Sequence, residues 1–315
     1  MSASLVALAL LQAVLIVGVA PLLAGVMRRV RALLEGRAGP TIGQPWRDIR
    51  KLLGKERIVP DSASWVFSAT PVVVVATVAL AAAIVPFFTT ESALHDTSDL
   101  FAVVYLLLLG TVFLALAGLD PGTAFGGMGS SREMTIAALA EPAILLAIFA
   151  LSVGSGSSNL SVIVAATLQH PESLASPQAV LAFAALAIVT LAETGRLPVD
   201  NPGTHLELTM IHEAMILEFA GPDLALVELA AQTRLVVLLG LLANLFLPWG
   251  IATTAAPVDL LWAVGALAIK VTLLGGAIAA FEVFVAKLRL FRVPELLAAS
   301  FVLSFLAVTT SFFFA

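Results

Sequence analysis

Long apolar runs, interrupted at intervals by short clusters of Arg, Lys, Pro and Gly, set the pattern of this chain. A helix needs about 20 apolar residues to cross ~30 Å of hydrocarbon. Eight intervals meet that length: 3–26, 64–88, 99–118, 133–153, 177–196, 224–248, 258–286 and 295–314. The pattern therefore predicts an all-α, polytopic membrane helical bundle with about eight transmembrane helices. The start of the sixth is blurred, because 206–220 is itself apolar, and counts of seven or nine fit less well.

Basic residues orient the bundle. The stretch RRVRALLEGRAGPTIGQPWRDIRKLLGKER holds nine of the 16 Lys and Arg residues, which places this first loop in the cytoplasm and both termini on the outer (periplasmic) side. The remaining loops agree: those near 89–98, 154–176 and 249–257 contain neither Lys nor Arg, whereas the inward ones carry Arg132, Arg196, Lys287, Arg289 and Arg292. The first 26 residues lack a basic start and a small-residue cleavage site, and read as a retained helix. A single integral membrane domain, 1–315, is expected, with cytoplasmic docking loops at about 28–60, 119–132, 196–223 and 287–294. GSGSSN at 154–159 reads as an outward turn. GTAFGGMGSSRE reads as an inward loop ending in a capping box, Ser130 to Glu133, that starts the fourth span; it lacks the Lys-Ser/Thr of a phosphate loop.

Composition narrows the chemistry. With 60% hydrophobic and 12% charged residues and a mean hydropathy of +1.05, the chain has too little polar surface to cover a soluble globule. A multi-pass protein of the cell's inner (plasma) membrane is expected. Zero cysteines exclude thiolate-held iron–sulfur clusters, nickel–iron centres and disulfides from this chain. Redox chemistry must then sit in partners. The net charge of -5 gives no support to nucleic-acid binding.

Ionisable side chains inside spans are costly and functional by default. Glu133 opens the predicted fourth span, and Glu141 follows eight residues later, roughly 12 Å deeper, just before Pro142. Lys270 lies midway along the seventh span and Glu282 near its cytoplasmic end, while Glu193 and Arg196 terminate the fifth. Glu133, Glu193 and Glu282 read either as helix-end groups or as functional ones. Glu141 and Lys270 each need a partner, a wet cavity or a shifted pKa, so proton handling is set against a structural ion pair.

The densest acidic stretch runs from 193 to 228, with Glu193, Asp200, Glu207, Glu213, Glu218, Asp223 and Glu228 set against Arg196. RLPVDNPG forbids a continuous helix, and a helix is predicted from about Thr204 to Phe219. On it Glu207 and Glu218 share one stripe and His205 and His212 the opposite one. The two imidazoles stand about two turns apart, roughly 10 Å, too far for one ion. No metal site is expected, and the absence of a GxSxG elbow excludes a serine hydrolase of that type.

Three motifs in order, RALLEGRAGP with WRDIRKLLGKE (31–56), LAGLDPGTAFGGMGSSRE with AEP (116–142) and AETGRLPVDNPGTHLEL with LEFAG (192–221), resemble the membrane subunit shared by respiratory complex I (its subunit 1) and group 4 energy-converting nickel–iron hydrogenases. The tail AKLRLFRVPELL (286–297) resembles the branch of hydrogenase-4 component C and formate hydrogenlyase subunit 4. The resemblance implies a non-catalytic membrane anchor and coupling subunit, with the nickel–iron centre and iron–sulfur clusters in partner chains. Expected partners are hydrogenase-like large and small subunits, an iron–sulfur protein, antiporter-like membrane subunits and lipid. Carried over by position, proton-path candidates are Glu133, Glu141, Glu193, Asp200, Glu207 and Glu218, joined by Lys270 and Glu282 from the span analysis. Arg37, Gly39, Pro40, Arg132, Arg196 and Pro198 match the loop framework. Complex I carries a denser acidic run where this chain has Gly203, Thr204 and His205, and about three extra residues separate Glu207 from Glu218. That thinning favours hydrogenase-type chemistry over a quinone chamber. A complex I-type quinone-site subunit is the alternative; a stand-alone ion transporter is disfavoured by the lack of inverted repeats.

Overall fold

The structure is a computed structural model that describes residues 3–91, 94–200, 210–254 and 256–314. It is all-helical apart from isolated bridges: α1 Ala3–Leu34, α2 Gln44–Leu53, α3 Trp65–Ile84, α4 Leu100–Leu119, α5 Ala124–Ser155, α6 Leu160–Gln169, α7 Pro177–Glu193, α8 His212–Ile216, α9 Gly221–Phe246, α10 Pro257–Phe284 and α11 Val293–Phe314. Each of the eight apolar intervals falls on a helix. Among the described residues seven of them are long and apolar enough to cross a membrane. The exception is α7, with 17 residues.

Helix starts follow from side-chain oxygens placed where backbone N–H groups lack intrahelical partners. Ser64, Asp99, Asn159 and Ser176 cap α3, α4, α6 and α7 in this way. The fourth span departs from expectation. Its cap is Thr123, which accepts from the Gly126 amide, so α5 begins at Ala124 and Ser130 and Glu133 lie inside it rather than forming a capping box. The cause is tertiary: Pro121 and Gly122 turn the chain, and the glycines that suggested a loop let α5 approach Gly118 and Met215. Glu133 consequently stands nine residues into the helix, about 14 Å from its start, and is no helix-end group. The stretch 154–176, expected to face outward, likewise contains a helix, α6, beyond the expected turn.

Helix α8 also corrects the predicted run from Thr204 to Phe219. Residues 201–209, including His205 and Glu207, lie outside the described residues; within 210–219 only His212–Ile216 is helical. Long-range bonds decide these bounds. Asp200 Oδ2 accepts the Ile211 and His212 amides at 3.3 and 3.4 Å, Arg132 takes the Met210 carbonyl at 2.8 Å, and Phe219 stacks on Phe67 with centroids 4.2 Å apart. The helical stripe therefore does not extend to Glu218.

Two helices are the hubs of the bundle: α5 packs against α4, α7, α8 and α11, and α9 against α1, α2, α3 and α10, with α3 packed extensively on α4 between them. Helix α2 is amphipathic: Pro45 and Ile49 are buried, the Trp46 indole donates to the Gly18 carbonyl at 3.0 Å, and Arg47, Arg50 and Lys51 stay exposed. This realises the apolar stripe of WRDIRKLL.

The entry to α9 needs glycine twice over. Gly221 has φ +57, and a Cβ there would run into the Glu56 backbone carbonyl; two residues on, Asp223 receives Arg57 Nε at 2.7 Å. Gly221→Ala is expected to lose at least about 1–2 kcal/mol from the left-handed backbone alone. A lowered midpoint in detergent thermal unfolding measures it; an unchanged midpoint contradicts this account of the junction.

Candidate functional site

Two cavities meet at the end of α7 and the first half of α9. The smaller, about 90 Å³, has Glu133, Glu193, Thr111 and Arg234 among walls otherwise supplied by apolar residues such as Val74, Val78 and Leu107. The larger, about 370 Å³, is lined by Arg28, Arg31, Arg196, Asp200, Glu213, Glu228, Gln232 and Glu282. Thr194, His212 and Ala231 line both. A water needs roughly 10–15 Å³ of such volume and two or more polar partners, so both have room and partners for water.

At the heart of the smaller cavity, Arg234 on α9 pairs with Glu193, the last residue of α7, and also donates to Thr111 on α4. Both charged side chains are largely desolvated, with 14% and 3% exposure. Glu133 is close enough to interact electrostatically with His212, Glu193, Arg234 and Asp200. Glu141, farther along α5, is 8% exposed; its Oε1 is buried without a hydrogen-bond partner, and Glu193 and Arg234 are its charged neighbours.

The larger cavity is organised by Glu282. Its buried carboxylate receives Arg31 of α1 and faces Arg196 at 3.6 Å. Burial pushes the Arg196 guanidinium below the usual arginine range; the Glu282 carboxylate opposes that, and Arg31 and Arg28 reinforce it. Nearby, Lys287 Nζ binds Asp200 Oδ1 at 3.0 Å, and the Leu288 amide donates to the Pro198 carbonyl at 2.9 Å. The turn after α7, the tail after α10 and the start of α8 thus converge on one patch.

The structure gathers Glu133, Glu193, Asp200, Arg196 and Glu282 around these cavities. Glu218 is half-buried and lines neither. Arg37 is exposed and paired with Glu35, in a loop with Gly39 and Pro40. No ion pair joins Glu141 to Lys270: the ammonium is held elsewhere, by Asn244 and two carbonyls. Among the described residues no group of three potential metal ligands occurs. Sequence reading missed Arg234, although an arginine inside the apolar run LVELAAQTRLVVLLGLL is itself the signal of an intramembrane charge. It also missed Arg31 as the partner of Glu282, 251 residues away.

Residues 6–312 match the family described as NADH dehydrogenase. The chain belongs to that family, the one that supplies a membrane subunit of complex I. It is a multi-pass membrane subunit of the complex I-like type. Formate hydrogenlyase subunit 4 of Escherichia coli (strain K12) is 36% identical over 298 residues, covering 95% of this chain and 96% of the relative. Hydrogenase-4 component C of the same organism is 34% identical over 270 residues, with 86% and 84% covered. An NADH-quinone oxidoreductase subunit of Thermomicrobium roseum is 32% identical over 246 residues, covering 70% of each chain. A chain in the structure of the membrane-bound sulfane sulfur reductase, an archaeal respiratory membrane complex, shares the fold: TM-score 0.82, 21% identity, 96% of this chain and 98% of that one covered.

Removing one member of a desolvated ion pair leaves a buried charge and costs about 3–5 kcal/mol, whereas replacing both with apolar residues is often neutral. Arg234→Leu is therefore expected to destabilise the protein strongly, and Arg234→Leu with Glu193→Leu to recover most of the loss. Thermal unfolding of the single and double variants checks this; additive losses contradict a tightly coupled pair.

Proposed function

We propose that this chain is the non-catalytic membrane anchor and coupling subunit of an energy-converting hydrogenase or formate hydrogenlyase-like complex. Peripheral redox subunits dock on its basic side, on the Arg37–Gly39–Pro40 loop, the exposed face of α2 and the tail at 287–294. Electrons stay in cysteine-ligated centres of those partners, since this chain has no cysteine. The chain crosses the inner membrane eight times with both termini outside. Helix α7 is the eighth crossing, its 17 residues spanning ~25 Å, at the short end of what a bilayer accepts.

The observation that carries this reading is the junction of the two cavities at Thr194 and His212, which links the basic side to Glu193 and Glu133 in the apolar interior. A unit charge arriving ~10 Å from a carboxylate changes its proton-binding free energy by about 1.7 kcal/mol at an effective dielectric near 20, more than one pKa unit. Redox events at the docked arm thereby move protons, or sodium, from Glu282 and Asp200 through Glu193 and Glu133 to Glu141. From there they pass sideways to an antiporter-like neighbour. Glu207 belongs to this path by its position in the family motif.

A quinone-site role is the second reading. It is supported by the 32% identity to an NADH-quinone oxidoreductase subunit and by the size of the larger cavity, about 370 Å³. The gently solubilised complex separates the two: nickel with several iron–sulfur proteins supports the hydrogenase-type reading, and stoichiometric bound quinone overturns it.

In proteoliposomes, Glu141→Gln and Glu193→Gln are expected to keep electron transfer while ion translocation falls at least about tenfold, as for loss of a group that must carry the proton. Normal translocation in both variants sinks the path.

A further inference from the structure

Lys270 stands apart from the cavities. It lies at the middle of α10, 2% exposed, and twelve residues, about 18 Å along the helix, from Glu282. Its ammonium donates to Asn244 Oδ1 at 2.7 Å, the Leu247 carbonyl at 2.9 Å and the Trp249 carbonyl at 3.2 Å, with the Trp249 ring centroid 5.5 Å away. Leu247 is the C-cap of α9, so the charge sits at the negative end of that helix dipole, among carbonyls that the helix itself leaves unpaired. Asn244 is anchored in turn by donating to the Pro86 and Phe87 carbonyls at 2.8 and 3.0 Å. Gly240, one turn earlier, packs so closely on the Phe87 ring that a side chain would not fit.

Two features argue against a proton carrier. All three N–H bonds already point at oxygens; after deprotonation the nitrogen lone pair would face an oxygen lone pair. No carboxylate pairs with Lys270 among the described residues to receive the proton. Between Arg234 and Asn244, moreover, every residue from 235 to 243 is apolar or glycine and buried, an apolar stretch of α9 about 15 Å long.

We propose that Lys270 is a fixed positive charge that, together with this apolar stretch of α9, seals the polar core against protons on the face opposite the basic first loop. The core is then open on one side only, and a proton reaching Glu133 or Glu141 can leave only sideways. The seal deepens the coupling reading and rests on it for its biological purpose, but the two fail separately. Passive leak of the idle complex reports the seal, and turnover-driven translocation reports the coupling.

The test compares wild type, Lys270→Met and Lys270→Arg complexes in proteoliposomes under an imposed pH gradient without substrate. The Met variant is expected to leak protons on the order of ten times faster, the Boltzmann factor of one unit charge acting at about 10 Å through protein. The Arg variant, which keeps the charge, should stay near wild type. An unchanged leak in Lys270→Met overturns the proposal. So does a loss of turnover-driven translocation equal to that of Glu193→Gln with the leak unchanged, which would make Lys270 a carrier. Should Lys270→Met fail to assemble, Lys270→Gln, which removes the charge but keeps a polar side chain, takes its place with the same two outcomes.

Discussion

A charge in hydrocarbon must find a partner, because no bulk water is available to solvate it. That requirement organises the bundle. Glu193 and Arg234 come from helices that share only a modest interface, and their ion pair, extended to Thr111, ties α7, α9 and α4 together. Glu282 does the same for α1, α10 and the turn after α7. Apolar packing brings the helices together; these polar contacts determine which faces meet.

The same constraint shapes the cavities. Carboxylates and guanidinium groups gathered in one region cannot pack as densely as Leu on Ala, and space the size of several waters remains between them. Glu141 marks the limit of that arrangement, with an oxygen buried and unpartnered. Such an atom is expensive to keep.

Polarity is distributed asymmetrically along the helix bundle. Toward the basic loop, ionisable groups are dense and connected; toward the opposite face, α9 becomes uniformly apolar until Asn244 and Lys270 close its end. Hydrogen bonds between Thr90, Ala252 and Phe88, and between Leu100, Ser158, Ser98 and Leu160, clasp that far face through the backbone. Such bonds need no side-chain identity, and they leave no trace in composition.

Much of this was legible in the sequence, and for a physical reason: the bilayer filters one variable, hydrophobic length, which is local. It placed eight apolar intervals, all of them helices, and singled out Glu133, Glu141, Glu193, Asp200, Lys270 and Glu282 as charges that an apolar chain would not carry idly. The motif order pointed to the family. Pairing was not legible. Nothing local in Glu282 names Arg31, or in Asp200 names Lys287, because a salt bridge is chosen by three-dimensional proximity rather than spacing. The helix start at 124 was misread for the same cause: glycine can mean a loop or a close helix contact, and only the neighbour across the gap, here Gly118 and Met215, decides which; the start at 212 was hidden in the bonds of Asp200 and Arg132 to residues 210–212. The sequence by itself determined the solvent, eight apolar intervals that become helices and most of the costly charges. The tertiary structure alone decided which charges share a cavity, which stand apart from it and where the acidic segment turns, since each depends on contacts between residues tens to hundreds of positions apart.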